Sequence, residues 1–215
     1  SGSGMGPGGG LNLSGGTYAG VGGSDSGSSS NINTYGSISN PIAYGSSGGV
    51  QGTTTSASGG GVANITVIGT ATINGSILAD GNPYTVVGYN GGGGSGGSIL
   101  LDVGQFVGTG TLSVNGGDGR GIGGGGGGGR IAIYYGTNTF SGVSRAYGGT
   151  VPSTSRYGGA GTIYTKDRGA LHGVLTVDNN SQSGGITRGV AGHAITLQTF
   201  NLRNGGYYQN VATEL

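Results

Sequence analysis

Seven consecutive glycines, Gly123 to Gly129, stand between Asn115-Gly-Gly-Asp-Gly-Arg-Gly-Ile122 and an apolar run, Arg130-Ile-Ala-Ile-Tyr-Tyr135. No helix crosses such a stretch, because each glycine costs about 1 kcal/mol relative to alanine at a helical position. Alone, a heptaglycine would be a flexible linker, since glycine loses more backbone entropy on ordering than any other residue. Here it is embedded between β-prone segments, and the same alternation recurs along the chain. The 59 glycines are accompanied by only 4 prolines and show no strict three-residue period, which excludes collagen. A charged fraction of 7% and a hydrophobic fraction of 32% would by themselves suggest disorder. Disordered chains, however, carry high net charge and few β-branched residues. This chain has a net charge of +1 and abundant Ile, Val, Thr and Tyr, so an ordered β structure with a thin core is expected.

An internal repeat organises residues 61–215. Isoleucines opening strand-like runs recur at Ile65, Ile99, Ile131, Ile163 and Ile195, at intervals of 34, 32, 32 and 32 residues. Two places on, Val67, Leu101, Ile133 and Leu197 repeat the apolar choice, and Thr165 departs from it. A glycine follows each isoleucine in step, at Gly75, Gly110, Gly142, Gly173 and Gly205, and opens a second short strand. In that strand Ile77/Ala79, Leu112/Val114 and Leu175/Val177 alternate with polar residues, which puts them on one face. The fifth place is Asp80, Asn115, Tyr147, Asp178 and Asn210, a column whose side chains would form a ladder of bonds to neighbouring backbone if the units stack. A unit of two short strands cannot bury its own apolar face, whereas stacked copies can. The expected fold is all-β: a β-solenoid or β-helix of about five 32-residue units with polyglycine-II-like glycine-rich segments. Five hairpins in an antiparallel sandwich are the alternative, because the spacing between strand marks serves a hairpin as well as a corner. Residues 1–60 form a Gly/Ser-rich N-terminal segment, either a flexible leader or an extended layer packed on the body.

Chemistry is far less legible. Lys166 and seven scattered arginines leave no electrostatic footprint for nucleic acid or an anionic membrane, and no apolar run is long enough for a membrane span. The absence of cysteine removes disulfides and thiolate metal sites. The Gly-Xaa-Gly-Xaa-Xaa-Gly patterns near Gly119 are a by-product of the glycine run, with neither a P-loop lysine nor a following helix. Gly116-Gly-Asp118-Gly has some likeness to calcium-binding β-roll repeats, but the repeat length and the aspartate position differ, and a surface turn is expected. His172 and His193 lack an adjacent acid in a recognisable arrangement, and Asp80, Asp102, Asp118, Asp167 and Asp178 are spread along the units rather than clustered. No catalytic residue, cofactor or metal site is expected, and the chain is read as a non-enzyme. Tyr134, Tyr147, Tyr157, Tyr207 and Tyr208 form the candidate binding surface, since tyrosine offers an apolar face and a polar tip. The same features also suit tyrosine to covering a thin core. Sequons at Asn12, Asn64, Asn74 and Asn179 would matter in a glycosylating host.

The phrases Gly-Gly-Ser98-Ile-Leu-Leu, Gly-Thr-Gly-Thr-Leu-Ser-Val-Asn-Gly116, Gly123–Gly129-Arg-Ile-Ala-Ile-Tyr-Tyr135 and Gly159-Ala-Gly-Thr-Ile-Tyr164 resemble a glycine-rich, β-helix-like repeat module of very large secreted and cell-surface adhesin-type proteins. The resemblance covers roughly residues 45–180. It implies an extracellular or cell-surface location and a structural or adhesive role, and carries over no catalytic residue. In composition the chain is also similar to receptor-binding tips of phage tail-fibre adhesins. The partners expected are further copies of the chain stacked head to tail in a filament, neighbouring repeats of a longer protein, glycans, or a cell-surface receptor. The last unit is the expected open edge, to be covered by a neighbour's N-terminal segment. A carbohydrate-binding or carbohydrate-cleaving β-helix is the competing reading.

Overall fold

The computed structural model describes residues 4–24, 31–52, 55–151, 156–189 and 195–210, among which there is no helix. Three long strands each turn a corner into a short one. β1 (Val62–Thr72) leads to β2 (Ser76–Leu78), β3 (Ser98–Val107) to β4 (Thr111–Ser113), and β5 (Arg130–Asn138) to β6 (Val143–Arg145). β7 (Thr162–Asp167) folds back on β8 (Gly173–Asp178), and β9 (Thr187–Arg188), β10 (Leu197–Arg203) and β11 (Tyr208–Gln209) follow. The long strands stack in parallel as β1-β3-β5-β7, and the short ones as a parallel β2-β4-β6 sheet. The result is a β-solenoid of about three turns. Its core lies between the two sheets, where Ile99, Leu101, Val103, Ile131 and Ile133 meet Leu112, Val114 and Ala146. Burying each large side chain there contributes about 1.5–3 kcal/mol. Phe106 and Phe140 stack with ring centroids 4.3 Å apart and close the corner end.

The register corrects the isoleucine markers in the first unit. Ala63, not Ile65, is level with Ile99, Ile131 and Ile163. Ile65 pairs with Leu101, a slip of two that leaves every side chain on its expected face. A bulge between Val67 and Thr70 absorbs one extra residue and turns Ile68 out to 93% exposure. Beyond the bulge the glycine markers hold, with Ser76, Thr111 and Val143 in register.

The fourth unit stacks as expected only through β7, and its second strand leaves the expected path. Val174 to Asp178 belongs to β8, which pairs antiparallel with β7 in a hairpin instead of continuing the small sheet. The turn is fixed by Asp167, whose Oδ1 accepts from the Gly169 amide at 2.7 Å and whose carbonyl accepts from Ala170. A Cβ at Gly173 would lie 2.4 Å from the Tyr164 ring, so the glycine marking this unit admits an aromatic across the hairpin. β10 then pairs in parallel with β8, giving a six-stranded sheet in the order β1-β3-β5-β7-β8-β10. Tyr208 and Gln209 of β11 pair with β9 in a separate small sheet.

The glycine returns pack together behind the solenoid, with Gly123–Gly129 at the centre. Its amides point in three directions with a period of three. Gly124 and Gly127 donate to Leu13 and Gly16, Gly125 and Gly128 to Arg156 and Gly159, and Gly126 and Gly129 to Gly117 and Val114. Its carbonyls accept from three further segments, through Gly93 and Gly96, through Gly20 and Gly23, and through Gly149. A chain enclosed by these six neighbours has no side left for a side chain. A Cβ would meet a carbonyl oxygen at 2.0 Å from Gly126, 1.8 Å from Gly127 and 2.2 Å from Gly128, each against a different neighbour. The heptaglycine is therefore a fully surrounded strand.

The N-terminal segment contributes to this bundle through residues 13–23 and 45–50. Among its glycines, Gly16, Gly20 and Gly23 bond to the glycine returns of the same chain through Gly93, Gly127, Gly128 and Gly125. Between these parts, residues 31–44 cross the outer face of the six-stranded sheet, and Ile38 packs on Ala132, Tyr164 and Leu175. Ser98 Oγ donates to the Ala43 carbonyl at 2.7 Å, and Tyr134 OH to that of Ser39 at 2.8 Å. Between them sits Arg130, 0% exposed, whose Nε and Nη2 both donate to the Tyr35 carbonyl at 3.1 and 2.9 Å. Nη1 reaches Thr162 Oγ1 at 3.3 Å, and the guanidinium carbon lies 5.3 Å from the Tyr18 ring centroid. The charge is thus held by a carbonyl, a hydroxyl and a π face.

Candidate binding groove

The outbound glycine segments show how the period of three builds a surface. Asp80-Gly-Asn-Pro83, Asn115-Gly-Gly-Asp118 and Tyr147-Gly-Gly-Thr150 lie side by side in successive coils. The second residue of each faces the bundle: a Cβ at Gly81, Gly116 or Gly148 would strike the carbonyl of Gly94, Gly126 or Gly158. The third faces the preceding coil: a Cβ at Gly117 would strike Asn82, and one at Gly149 would strike Gly117. Asn82 carries a side chain at that place because its neighbour there is Ser58, which it bonds through Nδ2–H to Oγ at 2.7 Å. The first and fourth residues have no such neighbour and project outward.

Two columns of side chains result, separated along each segment by about 9 Å at roughly 3.1 Å per residue. Each column is tied by side-chain bonds to the next coil, and the first of these ladders is the one expected from the sequence. Asp80 Oδ1 accepts from the Asn115 amide and from Ser113 Oγ, at 2.5 and 2.6 Å. Asn115 Oδ1 accepts from the Tyr147 amide at 2.8 Å. In the second column Asp118 Oδ1 accepts from both the amide and the hydroxyl of Thr150 at 2.7 Å. Between the columns runs an open groove of about 510 Å³, floored by glycine and ended by Gln182. Pockets for small ligands span about 300–1,000 Å³. Gln182 Oε1 is buried without a hydrogen-bond partner.

Of the five candidate tyrosines, the groove includes Tyr147 alone. Tyr134 is half-buried, its OH committed to residues 31–44 and its ring at the edge of Tyr164. Tyr157 is half-buried in the bundle, where its carbonyl accepts from Gly185. Tyr207 is exposed, and Tyr208 packs edge-on against Phe200. Asp118, Thr150, Pro83 and Gln182 were not singled out as a site, although the recurring Xaa-Gly-Gly-Xaa spacing carries the signal for the first two.

Asn12, Asn64 and Asn74 are exposed. Asn179 is 1% exposed, accepts from the Gly148 amide and donates to the carbonyls of Gly158 and Gln182, so a glycan there is incompatible with this packing. Asp102 pairs with Arg168, both part-exposed, and the largely buried Asp178 carboxylate pairs with the exposed Arg203 at 2.9 Å, which gives these carboxylates structural roles. His172 is half-buried in the β7–β8 turn, and His193 lies outside the described residues. Burial pushes the Tyr18 hydroxyl above its ordinary pKa and lifts Tyr35 to about 12. Burial also lowers the pKa of Arg130. No protein-family model, curated protein or solved structure matches the chain.

Proposed function

We propose that the chain is a non-catalytic structural and adhesive module of an extracellular or cell-surface protein. Its coils are braced by polyglycine-II-like segments, and its partner is a further copy stacked on its strand edges. The observation that carries the reading is the enclosed glycine bundle. It joins the N-terminal residues to three successive coils through backbone hydrogen bonds, an arrangement suited to a stiff, nearly uncharged body. At the two ends of the large sheet, β1 and β10 each have one edge that no described strand pairs. Phe200 and Leu202 of β10 are 43% and 47% exposed. Open edges of this kind accept additional strands. β10 runs antiparallel to β1, so copies stacked in one orientation would join through an antiparallel pair. The contact is heterologous, and repeating it builds an open filament.

Sedimentation and electron microscopy at rising protein concentration test this reading. Wild-type protein is expected to form linear oligomers, and lysines placed on both edges, Thr66→Lys with Phe200→Lys, are expected to keep it monomeric. A wild-type protein that stays monomeric at high concentration, or lysine variants that assemble unchanged, would overturn the proposal.

A further inference from the structure

We infer that the groove between the Asp80–Asn115–Tyr147 and Pro83–Asp118–Thr150 columns is a binding site for a neutral, hydroxyl-rich chain, a short oligosaccharide. The groove is complete within one copy, so this inference does not rest on self-assembly. The ladder uses one oxygen of each carboxylate: Asp80 Oδ1 and Asp118 Oδ1 each take two donors from the next coil. Among the described residues no donor reaches Oδ2 of either carboxylate or Asn82 Oδ1, and all three residues line the groove. This is a row of acceptors held by main-chain bonding, and a ligand rich in O–H donors satisfies it.

The lining also defines what does not fit. It contains two aspartates and neither lysine, arginine nor histidine, so sulfate, phosphate and uronate groups would meet like charge. Its apolar surface comes from Tyr147 and Pro83 without a deep pocket, which gives a peptide no anchor for a large side chain. A sugar ring needs only a flat aromatic wall for its C–H face and acceptors for its hydroxyls, and Tyr147 and the carboxylates supply these. The two columns keep the same spacing through three coils, so the groove suits a linear chain lying along the stacking direction.

The test uses the folded chain, isotope-labelled, titrated with maltohexaose, cellohexaose and mannohexaose, and with oligogalacturonate as the anionic comparison. At least one neutral hexaose is expected to shift the amides of Gly116, Gly117, Gly148 and Gly149, while oligogalacturonate leaves them in place. The double variant Asp80→Asn, Asp118→Asn keeps an oxygen for the ladder and replaces the groove-facing acceptor with an NH₂ donor. It should fold with an unchanged spectrum outside the groove and bind at least about tenfold more weakly, as expected for loss of hydrogen bonds to charged acceptors. Tyr147→Ala retains the amide that the ladder uses and should weaken binding as well. The inference is overturned if none of the three neutral hexaoses moves groove amides at millimolar concentration. It is also overturned if oligogalacturonate binds equally well, or if the double variant binds as wild type does.

Discussion

Replacing Gly126 by alanine adds one methyl group at the centre of the bundle, and the structure sets its cost. The new Cβ would lie 2.0 Å from the Gly94 carbonyl oxygen, 2.5 Å from the Gly94 carbon and 3.0 Å from the Ser95 nitrogen. Ordinary contact begins near 3.4 Å, so one backbone must move by more than an ångström. Neither is free to do so: Gly94 donates to Asn82 and accepts from Gly117, and Gly126 donates to Gly117 and accepts from Gly149. Overpacking costs about 1–3 kcal/mol where side chains yield, and the upper end applies because only backbone can yield here. Separating Gly94 from Gly117 would strand a buried donor and acceptor at about 1–3 kcal/mol. The combined loss is about 4–6 kcal/mol, against a typical total of about 5–15. For a chain of this size that is a drop of roughly 8–24 °C in melting temperature. Gly75→Ala is the comparison, since nothing lies within 4 Å of its Cβ. There the reduced entropy of the unfolded chain should stabilise by about 0.4–1 kcal/mol. Thermal and urea unfolding of both variants would refute the reasoning if Gly126→Ala melted within a few degrees of wild type.

Two further outcomes follow from the outer face of the sheet. An unfolded tyrosine ionises near its ordinary pKa of 10 and folded Tyr35 near 12, so the stability present below pH 10 should fall away as pH rises from 10 to 12. Tyrosinate absorbance and unfolding should then rise together, and a melting temperature unchanged across that window would contradict the burial of Tyr35. Arg130→Ala should cost about 3 kcal/mol or more, since the Tyr35 carbonyl loses its donors and a buried stem is removed. Limited proteolysis should then cut first within residues 31–44, and a variant as resistant as wild type would refute that anchoring.

The first three coils are legible because a glycine mark falls in step in all three and an isoleucine mark in the second and third. The register of β1 is not legible, because a bulge at Ile68 lengthens the first unit without disturbing the alternation that betrays a strand. The fourth unit has the same spacing as the others, yet Asp167 and the Tyr164–Gly173 contact turn it into a hairpin. Spacing alone does not separate a corner from a hairpin. The fifth-place ladder was readable in Asp80 and Asn115, since short polar side chains recurring at one place have neighbouring backbone within reach. The parallel column at Asp118 and Thr150 depends on the three-residue period of the glycine segments, which the period-two alternation of the strands does not reveal. Arg130 gave no warning of its burial. Its partners, Tyr18 and Tyr35, are distant in sequence and meet it only after the N-terminal segment has crossed the sheet.

Amide hydrogen exchange reads out whether the heptaglycine is a hydrogen-bonded strand enclosed on all sides. Each amide from Gly124 to Gly129 donates to a carbonyl of another segment, over 2.7–2.9 Å. Opening any one of them requires the bundle to separate, so these amides should exchange only through global unfolding, among the slowest in the chain and beside those of β3 and β5. Exchange of Gly124 to Gly129 at the rate of an unstructured glycine linker, while β3 and β5 stay protected, would contradict the account.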